Sequence, residues 1–228
     1  MSADAPFLRT VRSFVRREGR MTPGQRRALE TLLPRFAIES GGSPFDFAAV
    51  YGRRAPVVCE IGFGNGDALA ESAARHPERD FLGIEVHRPG VGSLLRKLEA
   101  RDIANVRVVV ADAREVLARD VPDGSLAAVH IFFPDPWPKK RHHKRRLIQP
   151  AFAALVHAKL APGGYVHVAT DWEDYAEHIR SAFLAASGFA TEEGNTARQQ
   201  PCARPPTRYE RRGQRLGHRV YELRFIKG

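Results

Sequence analysis

The chain has 228 residues, the size of one ordinary domain with an appended arm, and at 43% hydrophobic content it can bury a sizeable core. A formal net charge of +10 favours a polyanionic partner. No stretch approaches the ~20 apolar residues that span a bilayer, and the N-terminus lacks the apolar core of a secretory signal, so a cytoplasmic location is expected. Only Cys59 and Cys202 are present, without CxxC or Cys/His ligand spacing, which points to neither a disulfide framework nor a zinc site.

Residues 1–50 differ from the rest. They carry an arginine-rich, partly flexible arm, followed by Thr22-Pro23 and "GQRRALETLL". This spacing predicts an N-cap and a short helix with Ala28, Leu29, Leu32 and Leu33 on one face. From residue 51 a single domain is expected, because strand and helix patterns then alternate. The strands are "PVVCEIG", "DFLGIEV", "VRVVVAD", "SLAAVHIFF" and "GGYVHVATD". Between and after them, "GDALAESAARHP", "GVGSLLRKLEARD", "AREVLARD", "RLIQPAFAALVHAKL" and "WEDYAEHIRSAFLAAS" carry helical spacing. Apolar strands alternating with helices predict an α/β fold, a parallel sheet covered on both faces. A Pro/Arg-rich loop over about residues 195–217 precedes "HRVYELRFIK", whose alternation predicts a last strand.

An acid stands at the exit of each of the five strands: Glu60, Glu85, Asp112, Asp135 and Asp171. Ligands of open α/β sheets bind at the carboxyl ends of the strands, so these acids are predicted to converge on one edge. A single acid there is ordinary, since Asp caps helices well. Taken alone, Asp112 or Asp171 is explained by such a cap.

The first acid opens "EIGFGNG", with Gly62, Gly64 and Gly66 after a strand and before a helix. Glycines allow a tight turn and close approach of a ligand to the backbone. The spacing is not the GxGxxG of dinucleotide folds, and no Lys-Ser/Thr follows as in a phosphate-gripping loop. An acid beside the glycines repels a pyrophosphate and welcomes a cation. S-adenosylmethionine, with its sulfonium and ammonium groups, fits. Glu85 is spaced to meet ribose hydroxyls, and Asp112 to meet the adenine edge. The set predicts a class I methyltransferase.

The fourth strand runs into "IFFPDPWPKKRHHKRR", where prolines flank Asp135 and a basic run follows. Within it, Trp137 reads equally as a base-stacking or a loop-packing residue. The basic run reads as a phosphate clamp, and His142 and His143 lack metal-ligand spacing.

Several of these motifs resemble the bacterial tRNA (guanine-N7)-methyltransferases. "RSFVRREGRMTPGQ", "EIGFGNG", "GIEVHRPG", "FFPDPWPKKRHHKRR", "ATDWEDY" and "TRYERRGQRLGHRVYELRF" follow in family order across nearly the whole chain. The resemblance implies a Rossmann-like class I methyltransferase fold with a seven-stranded, mostly parallel sheet and an antiparallel last strand. It implies S-adenosylmethionine as methyl donor, S-adenosylhomocysteine as product, no metal, and a guanine at conventional tRNA position 46 as acceptor. By carry-over, Glu60, Glu85, Asp112 and Asp135 contact the cofactor, with Asp135 catalytic. Lys139, Asp171, Thr207, Arg208, Tyr209 and Glu210 bind substrate, and Arg141, His142, His143, Lys144, Arg145 and Arg146 contact RNA. Where the family often has Thr-Lys-Phe-Glu, this chain has Thr207-Arg208-Tyr209-Glu210, and Tyr209 either packs or meets the base. Either a monomer or a homodimer is expected. The rival readings are a methyltransferase for another RNA site or a small molecule, and a non-catalytic RNA-binding protein on the same fold.

Overall fold

The computed structural model describes residues 20–191, 205, 210 and 219–228. Five parallel strands alternate with helices: β1 Val57–Ile61, α4 Asp67–Arg75, β2 Asp80–Ile84, α5 Arg88–Ala100, β3 Val106–Val109, α6 Ala113–Arg119, β4 Leu126–Phe132, α7 Pro150–Lys159 and β5 Leu160–Thr170. Helix α8 (Glu173–Ala185) leads to β6 (Phe189–Thr191) and then β7 (Tyr221–Lys227). The seven-stranded sheet has the order β3-β2-β1-β4-β5-β7-β6. Strand β7 runs antiparallel to both neighbours, pairing Val168 with Leu223 on one side and Ala190 with Ile226 on the other. The sheet therefore has the expected composition. The three-residue edge strand β6 is too short to carry an alternation pattern, and its "GFATEE" segment is not legible as a strand in the sequence.

Strand burial explains the apolar runs. All five residues of β1 are buried, because each face is covered by its own layer. Cys59 and Ile61 pack with α6, α7 and α8 on one face, whereas Val58 packs with α4 and α5 on the other. By alternation, Glu60 points to the Val58 face.

The segment ahead of the sheet packs onto that second face. Helix α1 (Pro23–Thr31) begins as the sequence predicts, with a reciprocal capping box between Thr22 and Gln25. It stops at Thr31, and Pro34 instead enters the first turn of the separate one-turn α2 (Leu33–Phe36). Ala28, Leu29 and Phe36 are buried there among the side chains of α4 and α5. Ile38 N–H donates to the Val108 carbonyl at 2.9 Å, and Ser40 to the buried Asp120 at 2.5 Å. The short α3 (Phe47–Tyr51) follows, and Tyr51 donates to the Phe81 carbonyl at 2.7 Å. The expected boundary between residues 50 and 51 falls at the end of α3, whose Phe47 and Tyr51 pack against the main core. The arginine-rich arm of residues 1–19 lies outside the described residues.

Helices α1 and α5 meet at Gly92, where a Cβ would stand 2.7 Å from the Gln25 carbonyl oxygen. Helix propensity alone makes Gly92→Ala stabilising by roughly 1 kcal/mol. The close approach reverses the sign, because backbone must move. We expect Gly92→Ala to lose about 1–2 kcal/mol net, read as a lower urea midpoint at unchanged slope. A raised midpoint contradicts this packing.

Candidate active site

The strand order reverses between β1 and β4, so their following loops leave in opposite directions and open a cleft at the carboxyl edge. The five predicted acids gather along that edge. Glu60 sits in β1 beside Gly83 and His130 of the flanking strands and is buried. Glu85 and Asp112 follow β2 and β3, and Asp135 and Asp171 follow β4 and β5. Asp135 and Asp171 are exposed.

The glycine loop follows β1 at that edge. Gly62 and Gly64 have left-handed φ values of 70° and 56°, and a Cβ at either would meet no heavy atom within 4 Å. The space beside them is open, and side chains there would both strain the turn and fill it. Gly66 forms the N-cap of α4. Behind the loop, Lys97 donates to the Asn65 carbonyl at 2.5 Å and pairs with Asp67 at 3.3 Å, so this cation is already engaged on that side.

Glu85 holds the loop in place. Its carboxylate accepts from Gly64 N–H at 2.9 Å, Val86 N–H at 2.7 Å and His87 N–H at 2.9 Å. That uses three of the about four lone-pair sites a carboxylate offers. The spacing anticipated a ribose ligand, and the geometry adds a structural duty beside it. Asp112 is the N-cap of α6 and accepts from Arg114 N–H at 2.8 Å. An open glycine cradle walled by carboxylates suits a ligand that is cationic where it meets the loop.

The loop after β4 is strained. Phe133 and Trp137 take φ values of 52° and 45°, a left-handed conformation that costs bulky residues roughly 1–3 kcal/mol each. Asp135 sits midway between them. Phe133 N–H donates to the Ala169 carbonyl at 2.8 Å, which ties the loop to β5.

The basic run that follows is a 3₁₀ turn, Lys140–Arg145, with three residues per turn. Side chains three apart tend to share a direction, and Arg141 to Arg146 divide into three pairs. Arg141 and Lys144 are exposed. His142 and Arg145 flank Trp137, the imidazole edge-on at 5.9 Å and the guanidinium over the indole at 5.1 Å. His143 and Arg146 turn inward towards Asp174 of α8. Trp137 thus packs within its own loop. Nearby cations and burial differ in weight at His142: desolvation first, then Arg145, Arg141 and Lys139, hold its pKa below the ordinary imidazole value.

Arg146 corrects the sequence reading of an RNA contact. It is 1% exposed, among the most deeply buried large side chains, where a phosphate does not reach it. Arg141, Lys144 and Arg145 keep the exposure that reading requires, and His142 and His143 are half-buried. Glu210 is half-buried, whereas Thr207, Arg208 and Tyr209 lie outside the described residues.

Asp171 does not hold the N-cap of α8. That position is Trp172, without a side-chain cap. Trp172 is 41% exposed, and its N–H donates to Thr170 Oγ1 at 3.2 Å. Asp135 lies three residues beyond Phe132, and Trp172 three beyond Ala169, which pairs with Phe132 across β4 and β5. Among the described residues, the exposed aromatic after these strands is Trp172, although the sequence drew attention to Trp137. Its signal was present: in "ATDWEDY" it occupies the first position after the acid, where a strand gives way to a helix.

A family model described as "Putative methyltransferase" matches residues 54–223. A tRNA (guanine-N(7)-)-methyltransferase of Alkalilimnicola ehrlichii is 58% identical over 96% of this chain and 93% of its own length. The enzyme of the same name from Nitrosococcus oceani is 55% identical over 95% and 91%. The chain belongs to the tRNA (guanine-N(7)-)-methyltransferase family. The 16S rRNA methyltransferase KamB shares the fold at 16% identity, with a TM-score of 0.58 over 85% of this chain and 98% of that one. In this family member no helix among the described residues is long and apolar enough to cross a membrane.

Removing the Glu85 carboxylate strands three backbone N–H groups in a mostly buried setting. We expect Glu85→Ala to cost about 2–4 kcal/mol in urea unfolding, and Glu85→Gln less, because the amide oxygen retains some of the bonds. Equal stability of Glu85→Ala and wild type contradicts the tethering role.

Proposed function

We infer that the protein is a cytoplasmic enzyme that transfers a methyl group from S-adenosylmethionine to N7 of a guanine in the tRNA variable loop, at conventional position 46. The observation that carries this reading is the 58% identity to a tRNA (guanine-N(7)-)-methyltransferase over nearly the full length of both chains. The acid-walled glycine cradle and the strained Asp135 loop at the strand-order reversal support it.

S-adenosylmethionine, when bound, supplies a methyl carbon activated by a sulfonium. Glu60, buried at the end of β1, opposes the positive charge of the methionine part. Glu85 offers its remaining lone pair to a ribose hydroxyl while still holding the glycine loop. Asp112 stands for the adenine edge. Gly62, Gly64 and Gly66 let the ligand lie against backbone.

Guanine N7 is an in-plane lone pair without a proton, so no residue has to act as a general base there. What the protein must do is orient the base and accept the positive charge that develops on it. Asp135, carried on a loop with little backbone freedom, does both: it stabilises the cationic purine and accepts from the N1–H or the exocyclic amine. Lys139, Asp171 and Glu210, with Thr207, Arg208 and Tyr209, complete the substrate site. Trp172 offers an aromatic face on which a purine stacks. Lys140, Arg141, Lys144 and Arg145 contact phosphates, which position the RNA without reading its sequence.

Labelled S-adenosylmethionine and unmodified tRNA are expected to give label on a variable-loop guanine N7. Label on another atom or nucleotide refutes the reading. Asp135→Ala is expected to lower kcat by about 10²-fold or more while cofactor binding survives in part, and a near wild-type kcat removes Asp135 from the chemistry. With about four phosphate contacts, tRNA affinity should fall roughly 10²-fold between 50 and 200 mM salt by counterion release. A flat response argues against the clamp.

A further inference from the structure

Arg146 ends the basic run in sequence but faces the other way in space. Its Nε–H donates to the Pro136 carbonyl at 2.9 Å, and its Nη2 donates to Asp174 in the first turn of α8. Its guanidinium lies over the Tyr175 ring at 4.8 Å. Its own backbone is fixed: its N–H donates to the His143 carbonyl at 3.0 Å, and its carbonyl accepts from Arg114 Nη2 at 3.1 Å.

We propose that Arg146 is a positioning residue for Asp135, a latch that holds the loop after β4 against α8. This rests on the methyl-transfer reading above. The physical case begins with the strain. Two bulky residues in left-handed conformation persist only where their surroundings over-determine them. Pro134 and Pro136 lack N–H groups, so the loop cannot supply those donors itself. One anchor is the Phe133–Ala169 backbone bond ahead of Asp135. The second, one residue after Asp135, is the Pro136 carbonyl, and Arg146 is its donor. The two anchors bracket the acid and fix it relative to β5 and α8, the elements that carry Asp171 and Trp172.

Only an arginine meets this demand. Its planar fork donates from Nε and Nη2 at once in a rigid arrangement, whereas a lysine ammonium is a single point on a flexible stem. Asp174 remains largely exposed, and the hydrogen bond from Arg146 holds its carboxyl below the ordinary range. The pair therefore joins a buried fork to a surface acid, and a change at Asp174 tests the latch without opening a cavity.

The test compares wild type, Arg146→Lys and Asp174→Asn. The readouts are kcat and KM for tRNA, the salt slope of tRNA binding, and amide exchange at Phe133, Asp135 and Trp137. Arg146→Lys should lower kcat about 10- to 100-fold, as small misplacements of reacting groups do. KM and the salt slope should stay near wild type, and amide exchange in the loop should accelerate. Asp174→Asn should move kcat and exchange in the same direction by less. A salt slope reduced by about one with kcat preserved identifies a phosphate contact and overturns the latch. Unchanged exchange in both variants overturns it as well, whatever the activity. Wild type that fails to methylate tRNA refutes the methyl-transfer reading, and the exchange data still decide the latch.

Discussion

The reversal of strand order between β1 and β4 is the constraint from which the site follows. Parallel strands deliver their exits to one edge, and right-handed crossovers send the chain to one side after β1 and to the other after β4. The glycine loop and the Asp135 loop are thereby forced apart at that edge, and neither fills the space between. Everything needed for a ligand pocket except its lining is set by topology. The lining is then a matter of which residues stand at or just beyond the strand ends, and in this chain each strand of the five has an acid there.

Acids in the cleft and cations outside it are two answers to two different electrostatic demands. In the proposed reaction a cationic donor would be held by Glu60 and its neighbours, and the burial of Glu60 would strengthen that interaction. A polyanion must be held elsewhere, because phosphates close to those carboxylates would be repelled. The exposed lysines and arginines after β4 stand on a turn that leaves the edge, so both demands are met within about ten residues of chain. Exposure also suits the phosphate role, since surface cations remain hydrated until the RNA displaces their solvent and ions.

Much of the fold and the cofactor side of the site was legible in the sequence for a physical reason. Strands buried on both faces must be apolar throughout, so an acid at their end stands out, and the Thr22–Gln25 box marks a helix start by local chemistry alone. What was hidden depends on long-range contacts. Strand β6 forms only because β7 is there to pair with it. The reach of Glu85 to Gly64 crosses between loops 21 residues apart, and nothing in "GIEV" reveals it. Trp137 and Trp172 are equally aromatic in sequence, and their difference lies in which one has His142 and Arg145 against it.

The basic run makes the same point within a few residues. Read as composition, "KKRHHKRR" is one patch of charge, and Arg146 is indistinguishable from Arg145. Read with a period of three, Arg141 to Arg146 form three pairs with three tasks: facing solvent, packing on Trp137, and reaching Asp174. Burying a guanidinium is costly unless its donors are met, and Arg146 meets that condition with a carbonyl, a carboxylate and an aromatic face. Those partners exist because Pro136 offers an acceptor and α8 begins with an acid. The inward arginine is thus specified by the two elements it joins, and no inspection of the run by itself separates it from its neighbours.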